Sequence, residues 1–514
     1  MLKIPVVVWI ANAAARFTGT HGDVTKQAQV ADCSRQTVSD HARKVQASVE
    51  AEHAGGPTRA ELIQDNQRLR HENAQLWEWL AQTIEFPHAK QQEFTVTAIA
   101  MGLSLNQVLV LLALLLGQQA RPGRGTLGRW IKAAGRTATR VLEHLDTRCR
   151  GLVLVGCLDE IFFHRRPVLV GVEPTSMVWF LGQKAGDRTG RTWSGALHPW
   201  TALQYVLADA GTGLQSGIAQ VQQQRHAGGQ VALENGLDVF HTTQEGQRAL
   251  SQTWNQVETL WEDAEAATRR VERAWHQTGD TRGVATAAAS AWKAAEAAFA
   301  RYEAAEAGWA SARSALRVFG PDGRLNDRPR AQEQIISALP HLCGRHWSKV
   351  RGFLQAAPTL TFLDRLHRQL QEAEPNAELR EALVRLWWLR RQRPRGAHGV
   401  VVAGAGHVAH LVQQVVCQRL DAHWAESYRR VSGVLRQTVR ASSAVECMNS
   451  VLRMHQARHR TVTQGLLDLK RLYWNCRAFR EGKRRGRCPY EHLGLKLPSY
   501  HFWSVLQMPV DEAA

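Results

Sequence analysis

Hydrophobic residues in this chain follow several different periods. From Leu152 through Val155, Cys157 and Leu158 to Ile161, Phe162 and Phe163 they run almost unbroken, and the run carries two acids, Asp159 and Glu160. No polar alternation is left for solvent to wet, so residues 151–163 predict a strand buried on both faces that ends on those acids. Shorter β-branched and aromatic runs at 167–173 and 177–181, joined by a Glu-Pro-Thr-Ser turn, predict two further strands, giving three antiparallel strands. A loop rich in Gly and Arg follows at 182–195. An apolar stretch from Trp200 to Ala208 then ends on Asp209 and is released by Gly211 and Gly213 into a helix at 214–224, and a short strand at 237–240 leads to His241.

Elsewhere the period is helical. Residues 24–45 predict two short helices joined at Asp32, Cys33 and Ser34, with Ser34 as N-cap of the second and Arg35, Gln36 and Thr37 at its exposed start. That is the layout of a helix-turn-helix, whose recognition helix places such residues against bases and phosphates; a plain helical packing motif has the same pattern. Leu62, Leu69 and Leu76 recur every seven residues, with Asn66, Asn73 and Leu80 at the intervening core positions, which predicts a short parallel dimeric coiled coil whose Asn residues fix register. Packing of the same helix on its own chain is the alternative. Residues 94–147 form a further helical unit in which 105–116, apolar all round, is expected to be buried. After it Arg129, Lys132, Arg136 and Arg140 lie on one helix with Trp130, a set of cations able to track phosphates. Heptad seams through Trp254, Trp261 and Trp275 and through Trp292, Phe299 and Trp309 predict two antiparallel helices, and more helices follow at 330–371 and 378–390.

Charge narrows the partner. The net charge of +18 and a pI near 10.1 call for a polyanion, most simply nucleic acid. The most apolar stretch, 108–116, is about half a bilayer span, so no membrane partner and a cytoplasmic, nucleoid-associated protein are expected. Eight scattered cysteines make no disulfide framework, and Cys343 with His346 or Cys488 with His492 lacks a second zinc-ligand pair nearby.

The acids carry the chemistry. A carboxylate in an apolar strand is costly unless a cation neutralises it, although an acid capping a strand end and facing water has no such need. Late in the chain Glu446, Asn449 and Arg453 fall at i, i+3 and i+7 and share one helix face. In strand context and order, Asp159, Asp209 and Glu446 resemble the catalytic acids of the DDE transposases of bacterial insertion sequences, over residues 150–245 and 438–495. Arg453, seven positions after Glu446, and the pair Asp238 and His241 also match patterns of that family. The resemblance implies an α/β fold: a ribonuclease-H-like mixed sheet interrupted by a large all-α insertion, preceded by helix-turn-helix DNA-binding units and a coiled coil. It implies that Asp159, Asp209 and Glu446 bind two Mg²⁺ ions, or Mn²⁺, and that the enzyme cleaves and transfers DNA strands at transposon ends. Asp238 is the rival of Asp209 for the second ligand position. His241 either orients a phosphate or water, or is a buried histidine satisfied by a carbonyl.

Beyond Glu446 the chain is strongly basic: residues 451–490 hold eleven Lys or Arg against Asp468 and Glu481. Arg458, Arg460, Lys470, Lys483, Arg484 and Arg485 are expected to neutralise DNA phosphates. Trp387 and Trp388, before a basic loop, are candidates to stack on a flipped base, with core packing as the ordinary role of such aromatics. The expected domains are a helix-turn-helix at 1–57, a coiled coil at 58–90, a second DNA-binding helical domain at 91–149, catalytic core at 150–249 and 436–514, and the helical insertion at 250–435. Double-stranded DNA and a second copy of the chain, as a homodimer or higher oligomer, are the expected partners. The alternative function is a dimeric DNA-binding regulator derived from a transposase and catalytically inactive.

Overall fold

Small apolar faces at helical spacing assemble the first helices. In the computed structural model, which describes residues 5–52, 58–83, 86–117, 121–392, 405–459 and 462–509, the chain divides into two compact units, 1–87 and 88–514. In the first, α1 (Val6–Phe17), absent from the expected elements, packs on α2 (Asp23–Val30) and α3 (Arg35–Glu52) around Ala13, Ala28, Val38 and Ala42. Asn12, fully buried, bonds to His41 and accepts from Gln27, so this small core is pinned by a satisfied polar node. The turn between α2 and α3 places Asp32 in the left-handed region, and the Ser34 hydroxyl caps α3 by accepting from the Thr37 N–H at 3.0 Å. Arg35 and Gln36 are exposed and Thr37 half-buried. Helix α4 (Arg59–Thr83) leaves Leu62, Leu69, Leu76, Asn66 and Asn73 all exposed.

The second unit begins with α5 (His88–Met101), α6 (Leu105–Leu116) and α7 (Arg124–Cys149). Helix α6 is not buried as its composition predicts: Val108 and Leu112 are covered, whereas Leu114 is 78% exposed and Val110 and Leu115 more than half. It lies at the rim, where only one side meets α5 and α7. Residues 88–149 do not stand apart as a separate domain, because Ala138, Val141, Leu142 and Leu145 of α7 enter the same core as the sheet.

The sheet contains β1 (Val155–Phe163), β2 (Arg166–Val172), β3 (Trp179–Lys184), then α8 (Gly190–Leu197), β4 (Tyr205–Ala208), α9 (Thr212–Ala227) and β5 (Glu234–Leu237). Its order is β3-β2-β1-β4-β5, with β1, β2 and β3 antiparallel in succession and β4 and β5 parallel to β1. Three expectations are corrected. β1 does not end on its acids but continues to Phe163, with Asp159 opposite Val170. The loop at 182–195 is partly the end of β3 and the start of α8. The last strand is 234–237, and Asp238 caps the following helix, because its carboxylate accepts the Phe240 N–H.

That helix, α10 (Val239–Thr278), runs antiparallel to α11 (Arg282–Ala315), as Trp254 against Tyr302 and Trp261 against Trp292 show. The insertion continues through α12 (Arg328–Ala338), α13 (Ser348–Gln355), α14 (Thr361–Ala373), α15 (Ala377–Gln392), α16 (Ala405–Leu420) and α17 (Trp424–Gln437). The chain then returns to the sheet as α18 (Ser443–Arg458) and α19 (Gln464–Cys476), and finishes with short helices α20 (Pro489–Leu493) and α21 (Phe502–Leu506). The molecule is thus mostly helical around one small mixed sheet. No described helix is long and apolar enough to cross a membrane.

Candidate active site

Strand parity decides where the acids point. Cys157, Ile161 and Phe163 of β1 and Tyr205 and Leu207 of β4 share one apolar cluster with Ala444, Val445, Met448 and Leu452 of α18. Leu158, Val206 and Ala208 belong to the cluster on the opposite face, with α7, α8 and α9. Side chains alternate along a strand, so Asp159 shares the α18 face with Cys157 and Ile161. β4 pairs in parallel with Leu158 opposite Ala208, so Asp209 follows Ala208 beside Asp159 and continues the parity of Leu207. Glu160 takes the other face, where it pairs with Arg188 at 2.6 Å.

Helix α18 closes over this face. Asn449, 1% exposed, donates through Nδ2 to Asp159 Oδ2 at 2.6 Å, and its own Oδ1 is buried without a partner. Glu446, one turn earlier, lies 3.4 Å from His241 Nε2 and 4.0 Å from the exposed guanidinium of Arg453. Burial, with the charges of Asp209 and Glu446 behind it, lifts the Asp159 carboxyl to about 7, against one opposing backbone hydrogen bond from Glu160. At neutral pH it is therefore poised between protonated and charged.

Asp238 behaves oppositely. It accepts from the Phe240 N–H, bonds to His241 Nδ1 at 2.7 Å and accepts from the Ser442 hydroxyl. Burial alone would push its carboxyl up; these bonds and the His241 charge outweigh that and hold it below the usual range. The hydrogen bond that His241 donates to Asp238 raises His241, against burial, with the charges of Asp238, Glu446 and Asp159 adding to it. Asp238 thus orients His241, which reaches Glu446, and its carboxylate is engaged by three donors. Asp209 itself is half-buried; its Oδ1 accepts from the Gly211 N–H and its backbone carbonyl from Gln215 Nε2. Beside it a cavity of about 220 Å³ is lined by Asp209, Asp238, His241, Glu245, Lys349 and Phe353.

The three acids reach one end of the sheet without meeting at a point. Among the described residues no group of three or more His, Cys, Asp or Glu is placed to hold a metal ion. Each carboxylate instead turns to a nearby donor: Asp159 to Glu160 N–H and Asn449, Asp209 to Gly211 N–H, Glu446 to His241.

Other expected contacts divide. Arg129, Lys132, Arg136, Arg453, Arg458, Lys483 and Arg485 are exposed, and Arg460 lies outside the described residues. Lys470 is not a surface cation: it is 2% exposed, donates to the Ile99 carbonyl at the end of α5, and burial pushes it down to about 7. Arg484 is held by the carbonyls of Pro174 and Thr175, which fixes the β2–β3 turn. Trp387 has no free face for a base, because Phe319 stacks on it at 5.4 Å and the Arg391 guanidinium lies 4.6 Å from its ring centre. Trp388 is covered by Arg385 at 4.9 Å and approached by Gly323. Ser442, Glu245 and Lys349 are at the site without any signal in their sequence neighbourhoods; Ser442 looks like an ordinary helix cap, yet its hydroxyl serves Asp238.

No family model, no curated protein and no solved structure matches this chain.

Proposed function

We propose that this protein is a metal-dependent DNA strand transferase of the DDE transposase kind, with Asp159, Asp209 and Glu446 as its acidic ligands. The observation that carries the reading is that an acid on β1, one at the end of the adjacent parallel strand β4 and a third on α18 share one face of the sheet, with half-buried Asp159 among the like charges of Asp209 and Glu446. Such a carboxylate is stabilised by a hard cation, and the orphaned Asn449 Oδ1 offers a further oxygen. The strand order and the three antiparallel strands followed by two parallel ones support the ribonuclease-H-like assignment.

Asp159, Asp209 and Glu446 would hold the divalent ions, Mg²⁺ or Mn²⁺, whose chemistry in such a site would be activation of a water and stabilisation of the leaving oxygen at phosphorus. The rest is performed by the chain. Asn449 aims Asp159, Asp238 fixes the tautomer and orientation of His241, and His241 holds the Glu446 carboxylate in place. Arg453, exposed on the same face of α18, supplies positive charge for a phosphate next to Glu446. The capped start of α3, with Arg35 and Gln36 exposed, suits a recognition helix, and the uncovered Leu62, Leu69 and Leu76 of α4 suit a paired helix.

The test is incubation of the full chain with its own flanking genomic DNA and Mg²⁺, read on a denaturing gel beside the Asp159→Ala, Asp209→Ala and Glu446→Ala variants. Nicks by the parent that all three variants lose support the proposal. Equal cutting by parent and variants rejects it, and binding without cutting by the parent leaves the regulator.

A further inference from the structure

Four residues beyond Asp159 on β1 the chain turns back through His164 and Arg165, with Phe163 paired to Arg166 across the turn. Both turn residues have positive φ, +45° for His164 and +64° for Arg165. A two-residue hairpin of this kind requires that backbone at both positions and is ordinarily built from Asn-Gly or Asp-Gly, since a Cβ is disfavoured there. Here both positions carry large cationic or titratable side chains, and both are exposed. Folding of the hairpin gains nothing from them, so the sequence tolerates backbone strain for some other purpose.

The surroundings indicate which. His164, Arg165, Phe162 and Gln456 line an open cavity of about 560 Å³. Gln456 of α18, one turn beyond Arg453, donates to the Phe162 carbonyl at 2.6 Å and so ties the hairpin to the helix that carries Glu446. Arg188 lies over the exposed Phe162 ring at 5.4 Å and takes Glu160, the nearest acid in sequence. Arg165 forms no ion pair with any described residue. The hairpin tip, Arg453 and Arg188 therefore make a positive rim at the acid-bearing end of β1.

We infer that the His164–Arg165 hairpin tip is a DNA-backbone contact, gripping the duplex beside the phosphodiester held at Asp159. Five residue steps separate Asp159 from His164, roughly 16 Å in extended chain. That is well within the roughly 34 Å of one duplex turn, so a duplex held at Asp159 is within reach of the tip. This inference rests on the nucleic-acid reading of the site but names a contact that reading does not require.

The full chain carrying His164→Asn with Arg165→Gly is compared with the parent, and with Arg165→Glu, for binding to a fluorescent duplex of about three helical turns over a salt series. The Asn-Gly variant relieves the strained turn, so its Tm is expected to rise while its affinity falls. The slope of log affinity against log salt should shrink by about 0.9, the loss of one phosphate contact, and Arg165→Glu should shrink it at least as much. An unchanged slope and affinity in both variants, with the parent binding normally, overturns the hairpin contact alone. A parent that binds no duplex overturns the hairpin contact and the proposed function together, whereas cutting lost in Asp159→Ala with binding intact upholds the site independently of the hairpin.

Discussion

Asp159 and Asp238 lie at the same end of the same sheet and are treated in opposite ways. Around Asp238 the fold supplies a helix N–H, an imidazole and a hydroxyl, and the acid stays charged. Around Asp159 it supplies the backbone N–H of the next residue and one amide, surrounds it with Asp209 and Glu446, and lets its carboxyl rise to about 7. A buried acid with a full set of donors is part of the scaffold; one left short among like charges is the place where a cation lowers the free energy most. On the proposed reading, the difference sets Asp238 as a positioning residue and Asp159 as a ligand.

The largest expected effect is on chemistry. Asp159→Ala should reduce metal-dependent cleavage by on the order of 10³-fold or more while duplex affinity, set elsewhere, changes little; a gel-based rate assay paired with anisotropy measures both. Next comes stability. Asp238→Asn strips His241 and Ser442 of their acceptor and should destabilise the second unit by roughly 2–4 kcal/mol in urea unfolding; a loss under a few tenths would mean the network is incidental.

Metal affinity should depend on pH through Asp159. Below about 7 a proton competes for that carboxylate, so Mn²⁺ affinity by calorimetry is expected to fall roughly tenfold per pH unit. A flat profile from pH 5 to pH 8 would place the ion elsewhere. The smallest effect has the opposite sign from Asp238→Asn. An acid whose folded value is raised favours the folded state below its unfolded value, near 4, and loses that contribution as pH rises through about 7. Asp159→Asn should therefore stabilise the metal-free protein at pH 8, by about 1–2 kcal/mol once solvent access is allowed for, and the gain should vanish near pH 4.

Much of this arrangement was legible in the sequence, and what escaped did so for identifiable reasons. The unbroken apolar run ending near Asp159 and the Gly-released run ending on Asp209 located two neighbouring strands, because fully buried strands have a composition that solvent-facing elements lack. Apolar continuity reached Phe163, where β1 does stop, but it could not say that Asp159 and Glu160 lie inside the strand, where pairing with β2 keeps them. Helix α6 misled for the converse reason: Leu-rich composition reports the capacity for burial, while cover depends on neighbours, here α5 and α7 on one side of the helix. Lys470 misled because a basic run does not reveal which cation turns inward to the end of a helix. The choice between Asp209 and Asp238 rested on the donors each acid meets, above all Ser442 from 204 positions away, and no local pattern records that.

Asp159, whose carboxyl burial lifts to about 7, is the most direct place to look. Crystals of the full chain soaked in Mn²⁺ at pH 8 should show an anomalous peak between the carboxylates of Asp159 and Asp209, with Glu446 turned from His241 toward it. Ordered carboxylates with no peak between them, at a concentration that supports cleavage, would contradict the account.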